Sequence, residues 1–220
     1  MEATAQAVLT TSDTANPAKT PPTTGAPQAL PKPATAKKAG RKIDTLEKFR
    51  AWTPPEDGFK YEWNNGVIEK SPKMITFQNL YLVERLINFF QALKVNIPAG
   101  GMLFTEPESM TSATQLRIPD MAYYTAAQIA DAAAGKTPTV PEFIIEFVSN
   151  HDVHQKVLKK VEEYFKAGTR VVWLVLPQLQ MVYVYTSPLD VYICKDERVC
   201  SAEPVLPGFR LSAETLFANG

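Results

Sequence analysis

Two acids planted in apolar, strand-like runs constrain this chain more than any other feature. Asp120 sits in Leu116-Arg117-Ile118-Pro119-Asp120-Met121-Ala122-Tyr123-Tyr124, and Glu146 in Pro141-Glu142-Phe143-Ile144-Ile145-Glu146-Phe147-Val148-Ser149. An ionised carboxylate flanked by Ile, Phe and Val is costly to bury unless something compensates it. Either the two acids end their strands and point into water, or the fold brings them to one shared cation. An oxygen-donor site of that second kind suits Mg²⁺ or Mn²⁺.

Around the acids, strand and helix patterns mix without strict alternation. Asp44 can cap a short helix carrying Leu46, Phe49 and Trp52, which Pro54-Pro55 ends. Phe59 to Trp63 and Val67 to Lys70 read as strands joined at Asn64-Asn65-Gly66, a turn whose residues accept the positive φ it requires. From Ile75 to Leu93, Leu80, Val83, Leu86, Ile87, Phe90 and Leu93 recur at helical spacing, and that helix should pack on a sheet. Met102 to Phe104 opens a further strand after Gly100-Gly101, and a short Ala-rich helix covers about 126–133. Val171 to Leu176 reads as a buried strand, Met181 to Tyr185 and Val191 to Cys194 as hairpin strands, and Leu211 to Phe217 as a closing helix. The set predicts an α+β fold, a mixed α/β sandwich, over residues 44–220.

Residues 1–43 differ from the rest. They hold Lys19, Lys32, Lys37, Lys38, Arg41 and Lys42 against only Glu2 and Asp13, and residues 1–40 are rich in Ala, Thr and Pro with no aromatic side chain. Such a segment cannot bury enough apolar surface to offset its conformational entropy, so a disordered basic tail is expected. The whole chain balances 23 basic against 23 acidic residues, so the body is mildly acidic. That argues against a strong nonspecific duplex binder, although metal-binding acids would add to the acidity. Cys194 and Cys200 cannot make a disulfide framework or a zinc site unaided. With Asp196-Glu197-Arg198 as a hairpin tip, they would face each other across a ladder as reduced thiols of a cytoplasmic protein. No run has the length of a membrane span, and the first twenty residues lack the apolar core of a secretory signal.

A helix over 153–167, terminated by Gly168, contributes the third chemical element. At about 100° per residue, Val153, Val157, Leu158, Val161, Tyr164 and Phe165 share one face. Lys159 falls nearly opposite and should be solvated. Lys160 falls on the flank, where its stem can lie on apolar surface while the ammonium reaches a sheet edge. Lys156, one turn earlier, is the alternative, and a plainly solvated charge is the bland reading of either. His151 and His154, at the helix start, cannot form a metal pair by themselves; one can contact phosphate, or both are surface or capping residues. Tyr61, Trp63 and Trp173 can stack bases or, as strand residues, fill the core.

In order along the chain, several stretches carry a resemblance. They are Tyr61-Glu62 with Asn65-Gly66-Val67-Ile68, Ser71-Pro72, Ile118-Pro119-Asp120, and Ile145-Glu146-Phe147-Val148-Ser149. Asp152, Lys160, Glu163-Tyr164, Gly168, Val172-Trp173-Leu174-Val175 and Pro177 follow. The set resembles the Uma-type family of restriction endonucleases, in the PD-(D/E)XK nuclease superfamily, which is widespread in bacteria; it spans about residues 44–217. The resemblance implies a restriction-endonuclease-like central mixed sheet flanked by helices, and metal-dependent hydrolysis of phosphodiester bonds, in DNA rather than RNA. It implies that Asp120 and Glu146 bind Mg²⁺ or Mn²⁺. Lys160 would replace the lysine usually found two residues after the glutamate, where this chain has Val148. Glu62 would complete the site, or else face solvent on its hairpin. The implied partner is nucleic acid, with no membrane, and a homodimer is compatible with the family. Phe77 stands where the family usually has histidine, Leu176 where it often has aspartate, and Gln155 in a region that often carries an acid. These departures keep open a catalytically silent module that binds DNA or a protein partner.

Overall fold

A computed structural model describes residues 42–73, 76–94, 100–136, 140–149 and 154–218. The expected disordered tail falls almost wholly outside the described residues, as do His151 and Asp152. The described fold begins at Lys42 and Ile43. Lys42 bridges to Val67, and Ile43 is buried, its carbonyl accepting from the Trp63 indole N–H at 2.6 Å.

In chain order the elements are α1 (Leu46–Arg50), β1 (Phe59–Asn64), β2 (Val67–Pro72), α2 (Phe77–Leu93), β3 (Met102–Thr105), β4 (Ser109–Ser112), β5 (Gln115–Arg117) and β6 (Met121–Tyr124). They continue with α3 (Ala126–Ala133), β7 (Phe143–Phe147), α4 (His154–Ala167), β8 (Val171–Leu176), β9 (Met181–Tyr185), β10 (Val191–Cys194), β11 (Val199–Ser201), β12 (Arg210–Ser212) and α5 (Ala213–Phe217). Six strands form the main sheet in the order β10-β9-β8-β7-β6-β3. Only β7 and β8 run parallel, and a parallel pair needs a crossover connection, here carrying α4. A smaller sheet has the order β2-β1-β5-β4.

Side-chain alternation gives the main sheet two apolar faces. On one, Met121, Tyr123, Phe143, Ile145, Trp173 and Val184 lie under α2 and the C-terminal segment. Phe143 meets Trp173 and Phe209 edge-on, with ring centroids at 5.3 and 5.7 Å, a geometry that adds about 0.5–1.5 kcal/mol per pair beyond area burial. On the other face, Ala122, Tyr124, Ile144, Val172 and Leu174 meet Val161 and Tyr164 of α4. The result is the expected α+β sandwich, and period-2 alternation assigns Glu146 to the α4 side.

Several local expectations shift. Thr45, not Asp44, caps α1; its hydroxyl accepts from the Lys48 N–H, while Asp44 pairs with the Lys48 ammonium. In α2 the buried line is Leu82, Val83, Leu86 and Phe90; Leu80 is exposed because it lies roughly 100° off that line, in the first turn. Asn65 and Gly66 do take positive φ between β1 and β2. Residues 210–212 form β12 before the closing helix begins at Ala213. Cys194 and Cys200 are free and buried as expected. They do not share a ladder, however, since β10 pairs with β9 and β11 pairs with β12.

Candidate active site

The β6–β7 ladder pairs Met121 with Ile145, so one further step places Asp120 opposite Glu146. Residues directly opposite in an antiparallel pair point to the same face with Cβ atoms roughly 5 Å apart. The chain therefore brings two acids of distant sequence side by side. Asp120 is not itself in β6: β5 belongs to the smaller sheet and β6 to the larger, and Ile118-Pro119-Asp120 is the passage between them. The Phe147 N–H donates to Asp120 Oδ2 at 2.7 Å, fixing the carboxylate against β7.

The smaller sheet supplies the opposite wall. In β1, Lys60, Glu62 and Asn64 alternate with Phe59, Tyr61 and Trp63, a pattern that resembles a solvent face, yet Lys60, Glu62 and Asn64 are all buried. Glu62 is only 2% exposed, which overturns its solvent-facing alternative. Its Oε1 accepts from the Ile118 N–H at 2.9 Å and pairs with Lys160 Nζ at 2.9 Å. Lys160 also reaches Glu146 Oε1 at 3.2 Å, and the Tyr164 hydroxyl donates to that same oxygen at 2.6 Å. Lys60 pairs with Asp120 Oδ1. Behind this layer Arg117 is buried among carboxylates: Nη1 meets Glu62 at 3.2 Å and Glu69 at 2.6 Å, and Nε donates to Glu163 at 2.9 Å.

Burial and charge act against each other at every group. Burial pushes the Asp120 carboxyl up to about 6, with Lys60 pulling it down and Glu146 adding to the rise. Burial also raises Glu146, but Lys160, Lys60 and the Tyr164 hydroxyl outweigh it and bring that carboxyl down to about 2. Burial disfavours the Lys60 and Lys160 ammonium groups, yet the surrounding carboxylates hold both above the ordinary lysine value. At neutral pH the arrangement is thus a set of charged groups in which Glu146 and the two ammonium groups are favoured by their neighbours, while burial disfavours the Asp120 carboxylate.

Asp120, Glu146, Lys160 and Glu62 line one cleft, together with Lys60, Ser71, Val148, Lys156 and Tyr164. Lys159, one residue from Lys160, is 66% exposed, as its helical phase predicts. His154 is exposed at the start of α4, and Phe77 is exposed at the start of α2. Trp63 and Trp173 are core residues, and Tyr61 packs edge-on against Trp52. Lys60 and Arg117 carried no functional expectation, and Tyr164 was expected only as an apolar-face residue. A signal for Lys60 existed: it shares the period-2 face of Glu62, so whatever covers one covers the other.

Among the described residues no group of three or more His, Cys, Asp or Glu side chains is arranged to hold a metal ion. The paired carboxylates of Asp120 and Glu146 nevertheless fit a hard divalent cation, which commonly takes one or two protein carboxylates and fills its remaining positions with water or phosphate oxygens. The charge count also fits. Glu62, Glu69, Asp120, Glu146 and Glu163 face Lys60, Arg117, Lys160 and, through Glu163, Lys159, leaving one formal negative charge uncompensated within the network.

Comparison with known proteins bears on the fold and the lineage. The chain is similar to a solved structure described as "a putative nuclease belonging to DUF820 from Anabaena variabilis", with a TM-score of 0.67 and 21% identity, over 79% of this chain and 97% of that one. At that identity the likeness shows the fold. No curated protein matches. A family model, Uma2, described as "Putative restriction endonuclease", matches residues 46–214, from α1 to α5 and through every strand that lines the cleft. The chain therefore belongs to the Uma2 family.

Proposed function

We propose that the protein is a Mg²⁺- or Mn²⁺-dependent endonuclease acting on DNA, with the cleft between the two sheets as its active site. The observation that carries this reading is the Asp120 carboxylate held on the Phe147 N–H, next to Glu146, with the Lys160 ammonium on Glu146. Asp120 and Glu146 would hold the cation, which when bound polarises a phosphodiester and lowers the pKa of a coordinated water. Lys160 supplies a positive charge beside the reacting phosphorus, where negative charge grows in the transition state. Glu62, anchored by the Ile118 N–H, holds that ammonium at the sheet junction instead of letting it extend into water. Tyr164 fixes the orientation of Glu146 through its hydroxyl. DNA as substrate follows from the family description, and Lys73 and Lys156 along the cleft supply charge suited to a phosphate backbone.

The test is incubation of the purified chain with supercoiled plasmid, single-stranded DNA and RNA, with and without Mg²⁺ or Mn²⁺. Metal-dependent nicking or linearisation of plasmid is expected. Cleavage of RNA alone would overturn the substrate, and absence of cleavage with any metal would leave a module that binds without cutting.

A further inference from the structure

The main-sheet acids face a second pair on the smaller sheet that the reaction above does not use. The β1–β2 ladder places Lys60 opposite Ser71, so both side chains point to one face, the face that carries Glu62 and borders the cleft. Ser71 Oγ is shielded from solvent and has no hydrogen-bond partner among the described residues. An orphaned buried hydroxyl is costly, and it calls for a polar partner such as a water, an ion or a ligand oxygen. Lys60, beside it, is almost fully buried and spends its charge on Asp120. A buried ammonium is stable there because carboxylates surround it, Asp120 in direct contact and Glu146 next to it.

We propose that Lys60 and Ser71 form a subsite for a non-bridging phosphate oxygen of the nucleic-acid substrate. Lys60 serves as internal counter-cation of Asp120 in the metal-free protein and turns to the phosphate when a divalent cation takes that carboxylate. This rests on the nuclease reading and adds the place where the phosphate is gripped. Lys60 then competes with the metal and cooperates with the substrate. Its removal should act on the two ligands in opposite directions, which a purely structural role would not produce.

The experiment measures Mn²⁺ affinity by calorimetry, and binding of a labelled DNA duplex in Ca²⁺ by fluorescence anisotropy across a salt series. For Lys60→Met, Mn²⁺ should bind about tenfold tighter or more. DNA should bind at least about tenfold weaker, and the slope of log affinity against log salt should shrink by about 0.9, the loss of one phosphate contact. Ser71→Ala should leave Mn²⁺ affinity and the salt slope unchanged while weakening DNA binding about threefold to tenfold. Lys60→Gln, which keeps a donor for Asp120 and removes only the charge, serves if the apolar variant does not fold. Unchanged or weaker Mn²⁺ binding in the folded Lys60 variants, or unaltered DNA affinity, overturns the subsite. Wild-type protein that binds Mn²⁺ at neither Asp120 nor Glu146 overturns the nuclease reading instead.

Discussion

Lys160 Nζ lies 2.9 Å from Glu62 Oε1 and 3.2 Å from Glu146 Oε1, joining an acid of the smaller sheet to an acid of the main sheet through one helix side chain. The contact needs three independent alignments. β1 must present Glu62 inward, β7 must present Glu146 on the α4 side, and α4 must be phased so that Lys160 falls on the flank of its apolar face. A lysine clamped in this way has little conformational entropy left to lose when substrate arrives, which is the physical content of preorganisation.

Lys160→Ala should therefore lower metal-dependent cleavage by at least about a hundredfold, the scale of losing one transition-state donor. Lys159→Ala, on the same helix but facing water, should change it by less than about twofold. Lys156 also lines the cleft, so Lys156→Ala should have an intermediate effect through substrate charge. Steady-state cleavage of one plasmid by the three variants checks this. Retention of full activity by Lys160→Ala would remove the lysine from the mechanism.

Arg117 is the structural keystone behind the site, buried to 1% exposure and bonded to three glutamates. Replacing it by Met fills the space but leaves buried Glu62 with Lys160 alone, and half-buried Glu163 with only the more distant Lys159, as cationic partner. Breaking a buried charge network from one side costs about 3–5 kcal/mol, and urea unfolding of Arg117→Met should show a loss of that size. A loss below about 1 kcal/mol would mean that the glutamates find other partners or are hydrated.

Asp120 and Glu146 were legible in the sequence because a charge inside an apolar run is visible in one dimension. Lys160 was legible because helical phase distinguishes it from Lys159. Glu62 was ambiguous, and Lys60 was missed, for one reason. Alternation in β1 shows that Lys60, Glu62 and Asn64 share a face, but not what covers it, and the cover comes from α4 and the Ile118–Asp120 passage far along the chain. Arg117 was hidden in the same way, since its three partners lie 46 to 55 residues away in sequence. The α1 cap was displaced by one residue because Asp44 and Thr45 are both good capping residues, and only the helix start chooses between them.

Divalent cations should stabilise the fold through the same acids. A ligand that binds only the native state raises its stability by mass action, so Mg²⁺ or Mn²⁺ should raise the melting temperature of wild-type protein. The increment should be markedly smaller in Asp120→Asn, which keeps the shape but removes one of the two charged donors. Thermal melts across a metal titration check this. Equal increments in the two proteins would place the cation elsewhere.

The pH dependence of stability in metal-free protein follows from the opposite shifts of the two acids. Asp120 rises in the fold from its ordinary 3.8 to about 6. The native state therefore holds this proton more tightly than the unfolded chain, and the contribution is present below about 3.8 and lost as pH rises through about 6. Glu146 falls from 4.5 to about 2, so its contribution is present above 4.5 and lost only as pH falls toward 2. Glu69, also depressed, acts in that lower range. Between about pH 4.5 and 6.5 Asp120 is thus the dominant member of the network, and with Glu146 and Glu69 partly opposing it stability should decline with rising pH by about 1 kcal/mol. Urea midpoints of metal-free protein measured across that window should fall for wild type and stay nearly flat for Asp120→Asn. Saturating Mg²⁺ should reverse the wild-type slope, because the cation favours the ionised carboxylate that burial alone disfavours. A midpoint that rises with pH in the absence of metal would mean that Asp120 is ionised throughout, with Lys60 outweighing its burial.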